Sequence, residues 1–372
     1  MINSTNNKYA VIHVINSFEQ GGAEVLLANF AKNFSHPTIE LVLAYLKGEG
    51  TILRDLNLAC KIYDLSNRGA FTIFSIFKLL TIVRRHHVTI LHTHDPQSGI
   101  LSRLAAWLVG VPFVVTTRHT TVLYGRHKMI YHLENYLLRY NDCVVATSDA
   151  VHRHLVQSYG VDQNKVMTIH NAIDNAYFDD TPRKLSATDH IAIGTVARLH
   201  YQKGVDILLR GFARINHEFP CTRLVIAGDG EERPLLEGLA KQLEIHHAVD
   251  FRGSLNTAEV KQLLKTIDIF VLPSRSEGFG IALAEAMASG IPVVGSDVDG
   301  IGEIITDRKD GLLFDKESDE DLARKVKELL RDAALRDQLG RQAIQSARSR
   351  FSMDVHIQRV VDIYSRFIVL EH

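Results

Sequence analysis

Short, continuously apolar runs alternate with longer segments of helical period along almost the whole chain. Residues 9–16 form an apolar run that stops at Gly21-Gly22, and a helical pattern follows over 23–34. The strand signal repeats at 39–45, 88–92, 113–117 and 144–148, the last leading into a predicted helix over 149–159. Residues 171–190 then lose periodicity and collect Asn, Asp, Thr, Pro, Arg and Lys, the composition of a linker. After it the series restarts, with strands predicted at 191–196, 223–227, 249–252, 269–272 and 292–295 and helices over 204–219, 233–243 and 257–266. Apolar strands without polar alternation, separated by helices, predict parallel sheets covered on both faces. Such sheets bind ligands at the carboxyl ends of their strands.

At 372 residues the chain exceeds one comfortable core, so two domains of similar size are expected. With 46% hydrophobic and 23% charged residues it is globular, and a net charge of -1 gives no reason to bind nucleic acid. The distribution is less even: residues 1–175 hold 16 Lys/Arg against 12 Asp/Glu and 12 of the 19 histidines, which suits an anionic surface. Cys60, Cys143 and Cys221 lie far apart in apolar runs and read as buried thiols in a reducing compartment. Residues 1–7 lack a signal-peptide core, and the longest apolar run, 70–83, is too short to span a bilayer and contains Lys78. A cytoplasmic protein is expected. Residues 68–87 set Phe71, Phe74 and Phe77 among Arg68, Lys78, Arg84 and Arg85, a pattern open to sheet packing or to peripheral contact with an anionic inner membrane face.

The densest chemistry lies at 273–290. The strand over 269–272 runs into Ser274, Arg275, Ser276, Glu277, Gly278, Phe279 and Gly280, which open directly onto a helix carrying Glu285. Amides at a helix start attract anions, and glycines let a phosphate or sugar approach the backbone. A neighbouring carboxylate accepts hydrogen bonds from hydroxyls. The ligand expected is part phosphate and part sugar. Two spaced glutamates alone would favour an ordinary strand-loop-helix with solvated acids; the whole string favours a site.

That string resembles the donor-sugar signature of the family-4 retaining glycosyltransferases, the glycosyl transferases group 1. The resemblance implies that Glu277 holds hydroxyls of the transferred sugar and Glu285 the nucleotide ribose, with the amides of Gly278, Phe279 and Gly280 facing sugar and diphosphate. Arg198 and Lys203, ahead of Gly204, are similar to the family's cation pair for the leaving diphosphate, whose developing charge needs fixed positive partners. Gly21 and Gly22 resemble the first-domain loop that closes over the phosphates, although Gly-Gly by itself is also an ordinary tight turn. Gly228, and Arg252 with Gly253, resemble loops at the nucleotide edge. His119, after the strand at 113–117, matches a histidine that reaches donor sugar or acceptor; as a neutral imidazole it orients a hydroxyl, as an imidazolium it stabilises phosphate charge.

Other features carry less. His92 and His94 end a strand as in some metal hydrolases of the barrel class, but the mid-chain restart argues against a barrel, and they read as core or rim histidines. Asp297-Val298-Asp299 imitates a metal motif of another glycosyltransferase fold and is taken as chance, so no metal and no other cofactor are expected. The chain departs from the family pattern at Asp299-Gly300 and Gly302, where Gly-Gly and a proline are usual, and at Ala172, where glycine is usual and a left-handed turn is disfavoured.

The resemblance implies the GT-B fold: α/β, two facing Rossmann-like domains around a deep cleft. An acceptor-binding domain is expected at 1–180 and a nucleotide-sugar domain at 181–351, with a helix at 352–372 returning to the first. The implied reaction is metal-independent, retaining transfer of a hexosyl-type sugar from a nucleotide-sugar, UDP by family frequency. The acceptor is a saccharide or lipid-linked molecule in cell-surface polysaccharide or lipopolysaccharide synthesis. A sugar-nucleotide epimerase, a phosphorylase and a non-catalytic nucleotide-sugar-binding partner of another transferase are the alternatives on this architecture.

Overall fold

The computed structural model describes residues 8–19, 21–53, 58–66, 73–119, 128–178 and 191–370. Residues 179–190 of the expected linker and 68–72 of the basic, aromatic segment lie outside this set. The described residues form two compact units, one running to Ala172 and resuming at Met353, the other spanning Ile173–Ser352.

The first unit holds β1 (Tyr9–Ile15), β2 (Ile39–Tyr45), β3 (Lys61–Asp64), β4 (Val88–Thr93), β5 (Phe113–Arg118), β6 (Cys143–Ala146) and β7 (Val166–Thr168). They pair in the order β3-β2-β1-β4-β5-β6-β7, every pair parallel. The second unit holds β8 (Ala192–Val196), β9 (Arg223–Ala227), β10 (Val249–Gly253), β11 (Ile269–Leu272), β12 (Val293–Ser296) and β13 (Leu312–Phe314). Their order is β10-β9-β8-β11-β12-β13, again all parallel. The strand order reverses between β1 and β4 in one sheet and between β8 and β11 in the other, and a crevice opens at such a switch point.

The central strands are apolar on both faces because helices cover both: β1, β4 and β6 are buried almost throughout, as are β11 and β12. The helix Met353–Leu370 belongs to the first unit. Its Met353, Val360, Val361, Ile363 and Tyr364 join Val11, Leu27, Phe30 and Val145 in one buried cluster. The cysteines divide: Cys143 is buried and its thiol is pushed up to about 12 by burial, Cys60 is half-buried, and Cys221, in the turn before β9, is exposed rather than buried as expected. Among the described residues no helix is long and apolar enough to cross a membrane.

One buried polar network ties the helices Pro96–Val109 and Lys128–Leu137 to the sheet. Arg103 donates to both Glu134 oxygens at 2.6 and 2.9 Å, to Asn141 Oδ1 at 2.6 Å and to Thr116 Oγ1 at 3.2 Å. Glu134 has 0% of its side chain exposed, so removing it strands a buried guanidinium. Glu134→Ala is expected to lower stability by about 3–5 kcal/mol. Urea unfolding followed separately in each unit should place the loss in the first.

Candidate functional site

At the switch point of the second sheet, the loops after β8 and β11 lie side by side. The first carries Arg198 and then a short turn, Tyr201–Lys203, closed by Gly204. Gly204 has φ +62°, and a Cβ there would stand 2.1 Å from the Pro273 carbonyl oxygen, so only glycine lets the two loops touch. Across this contact Lys203 Nζ lies 2.5 Å from Glu277 Oε1, and Ser274 Oγ donates to the same oxygen at 3.1 Å. The Ser274 carbonyl in turn accepts from Ser296 Oγ at 2.5 Å. Lys203 and Glu277 keep only 21% and 11% of their side chains exposed, which holds both ions in one place with little water to screen them.

Arg198 differs. Its backbone is fixed because Ala197 N donates to Ala227 O at 3.0 Å and Leu199 N to Asp229 O at 2.9 Å. Gly228 and Gly230 permit this: Cβ atoms there would stand 1.8 Å from Ala197 O and 2.3 Å from Leu199 O. The Arg198 side chain is exposed, and no ion pair or hydrogen bond of its guanidinium occurs among the described residues. A cation on a fixed backbone with no internal partner is available to an anion.

The other positions expected at the donor site fall around these loops. Gly228 N donates to Gly253 O at 2.8 Å, while the Arg252 guanidinium pairs with Asp250 at 2.6 Å on the solvent side. Gly278 follows Glu277 directly, and Gly280 begins the helix Ile281–Ala288 at φ +70°. The Phe279 ring is buried against Phe351, 5.3 Å between centroids, and anchors the loop from beneath. Gly300 also packs here: a Cβ would stand 2.6 Å from the Glu277 carbonyl oxygen, so the chain keeps glycine where this loop needs it, despite the unusual Asp299 before it. Ala172 packs in the first unit's core and is not among the positive-φ residues.

Glu285 projects from the same helix. Burial raises its carboxyl to about 7, against a hydrogen bond from Tyr177 and the attraction of Lys261, which lower it. Lys261 lies 4.7 Å over the Tyr177 ring and 3.3 Å from Asp174. Tyr177 escaped sequence reasoning, and Arg275, although within the predicted string, was given no role there. The Arg275 guanidinium reaches Asp206 at 2.8 and 2.9 Å, Glu317 at 3.0 Å and the Tyr201 carbonyl at 2.8 Å, and stacks 4.0 Å from the Tyr201 ring. It thereby locks the Lys203 turn to the Glu277 loop.

In the first unit, Gly21 is extended and Gly22 begins the helix Gly22–Asn33. Across the β1/β4 switch point, His13 and His92 are register partners. His13 Nδ1 lies 2.9 Å from His94 Nε2, while Tyr364 Oη lies 2.8 Å from His13 Nε2 and 2.5 Å from His92 Nδ1. His119, past the end of β5, stacks beside His94 with 5.9 Å between centroids. Burial, aided by His356 and Arg118, lowers its pKa to about 4, so it is a neutral imidazole. Among the described residues, His94 Nδ1 and His119 Nε2 are buried without hydrogen-bond partners. His13, His356 and Tyr364 were not foreseen; nothing local in the sequence links them to His92 and His94.

Comparison with known proteins bears on the family and the fold. Residues 177–346 match the model of glycosyl transferases group 1, and residues 20–177 that of glycosyltransferase family 4. An uncharacterized glycosyltransferase of Methanocaldococcus jannaschii is 30% identical over 303 residues, covering 77% of each chain. The N-acetyl-alpha-D-glucosaminyl L-malate synthase of Bacillus anthracis is 30% identical over 299 residues, with the same 77% coverage of both. Among solved structures, Anabaena HepE in complex with UDP superposes with a TM-score of 0.82 at 20% identity, over 96% of this chain and 100% of that one; at that identity the likeness concerns the fold.

Because the Tyr177 hydroxyl favours the ionised form of Glu285, Tyr177→Phe should push the Glu285 carboxyl above about 7. A carbon-13 NMR titration of that carboxyl measures it; an unchanged or lower midpoint contradicts the contact.

Proposed function

Because the chain belongs to the glycosyl transferases group 1 of family 4, we propose that it transfers a hexosyl-type sugar, with retention and without a metal, from a UDP-sugar to a saccharide or lipid-linked acceptor. The observation that carries this reading is the Lys203–Glu277 pair at the β8/β11 switch point, with the exposed Arg198 on the β8 loop.

In this reading Lys203, with three N–H donors, shares them between Glu277 and the leaving diphosphate, and Arg198 supplies a second cation from a fixed backbone. Glu277 accepts from sugar hydroxyls, Glu285 from the ribose, and the backbone of Gly278, Phe279 and Gly280 lies against sugar and diphosphate. Gly228, Arg252 and Gly253 border the nucleotide. The anomeric carbon loses its bond to phosphate oxygen and gains one to the acceptor oxygen on the same face. The acceptor proton passes to the departing diphosphate. In the first unit, which takes the acceptor, Gly21 and Gly22 approach phosphate. His119, neutral at physiological pH, orients a hydroxyl rather than stabilising phosphate charge.

A second part of the proposal concerns where the acceptor is met. The adjacent helices Ile73–Arg85, Pro96–Val109 and Lys128–Leu137 expose Phe74, Phe77, Trp107, Leu108 and Tyr136, with Trp107 78% exposed, and Arg84 and Arg85 end the first of them. Aromatic rings beside arginines suit the interface of an anionic membrane. We assign this face to peripheral contact at the inner side of a membrane during cell-surface polysaccharide or lipopolysaccharide synthesis.

Lys203→Ala and Glu277→Ala should each lose on the order of a hundredfold or more in kcat with the preferred donor. A thermal-shift screen of UDP-, GDP- and ADP-sugars should give a clear rise with UDP donors, unchanged by EDTA. Near-normal turnover in both variants would remove the catalytic assignment, and loss of the shift in EDTA would remove metal independence. For the membrane face, the protein should co-sediment with anionic vesicles at low salt, and Phe77→Asp with Trp107→Ser should abolish this. Failure of the unaltered protein to sediment contradicts the assignment.

A further inference from the structure

We propose that His13, His92 and His94 form a binding site for a single divalent transition ion of the Zn2+ type, inside the first unit and separate from the donor site. The three come from the ends of β1 and β4, neighbours at that sheet's switch point, so the backbone itself brings them together. One ring nitrogen from each lies within 4.8 Å of the other two. His13 Nδ1 and His94 Nε2 stand 2.9 Å apart. Two nitrogens on a tetrahedral ion, with bonds of about 2.0–2.1 Å, are separated by about 3.3 Å, so a small opening of this pair admits the ion.

The surroundings are those of a ligand set. Histidines that hold a metal pass their other ring N–H to a fixed acceptor, which sets tautomer and orientation. Tyr364 Oη occupies that place for two of them, 2.8 Å from His13 Nε2 and 2.5 Å from His92 Nδ1. With both N–H groups directed at this oxygen, the lone pairs of His13 Nδ1 and His92 Nε2 are left for the ion. The ion would replace the present contact of His92 Nε2 with Thr117 Oγ1, at 2.7 Å. The adjoining cavity measures about 20 Å³ and is lined by the three histidines together with Ala23, Phe30 and His119. That volume accepts one water. Such a water would be the fourth ligand, and His119, whose Nε2 has no hydrogen-bond partner among the described residues, lines the same space. Three imidazoles without a carboxylate select Zn2+, Co2+, Ni2+ or Cu2+ over Mg2+ or Ca2+, which require oxygen. The ion plays no part in the transfer chemistry; its water, taken up by His119, competes with a substrate hydroxyl there, so occupancy should inhibit.

Binding is read without reference to activity, so its failure and the failure of the transferase reading are distinguishable. The full chain, stripped with EDTA and dialysed against Co2+, should take up one equivalent with the visible absorption of a tetrahedral complex. Zn2+ should displace it and Mg2+ should not. His13→Gln and His94→Gln should each weaken binding at least a hundredfold, and Tyr364→Phe about 10–100-fold, with metal-free melting checked for every variant. Should those variants fail to fold, nitrogen-15 spectra of labelled histidines in the unaltered protein give the same answer: Zn2+ must move the His13, His92 and His94 signals. No stoichiometric uptake, uptake unaffected by the substitutions, or shifts confined to other histidines would each overturn the site and leave the cluster a hydrogen-bonded network of the protein alone.

Discussion

Because every strand pair in both sheets runs parallel, all the strands of a sheet end on one edge, and each unit's chemistry collects there. Residues far apart in sequence become neighbours when their strands flank the switch point, as Lys203 after β8 and Glu277 after β11 do. The crowding has a steric cost: loops that emerge side by side must cross within backbone contact distance. At Gly204, Gly228, Gly230 and Gly300 a methyl group would collide with a neighbouring carbonyl. Placing the charges and sparing the space around them are thus one constraint.

The two edges solve different electrostatic problems. In the second unit, Lys203 is fixed by Glu277 and Arg275 by Asp206 and Glu317 before any ligand arrives, while Arg198 is held only at its backbone. Preset charge costs little reorganisation when charge develops on a bound ligand. In the first unit, burial holds His13, His92, His94, His119 and His356 in the neutral form. Neutral imidazoles donate and accept hydrogen bonds without repelling one another, which lets five share one pocket.

Much of this was legible in the sequence, and the limits have physical causes. The central strands are covered on both faces, so β1, β4, β8, β9 and β11 stood out as largely apolar runs. β3, with Lys61 and Asp64 on an exposed edge, and the three-residue β7 and β13 carry too little apolar length to register. The Glu277 loop was readable because strand, glycines and helix are contiguous. The residues that hold it in shape were not: Arg275 finds Asp206, and Tyr177 finds Glu285, only through the fold. Tyr364 bonding to His13 is the extreme case, since an isolated tyrosine on an amphipathic helix looks like any core residue.

The helix that carries Tyr364 also governs the order in which the protein can be completed. Met353, Val360, Val361, Ile363 and Tyr364 fill a wall of the first unit's core, yet the chain makes the whole of Ile173–Ser352 before reaching them. During synthesis the second unit therefore has its full complement of residues while the first still exposes Leu27, Phe30 and Val145. The unit translated first is the one finished last, and in the interval its apolar surface is open to non-native contacts.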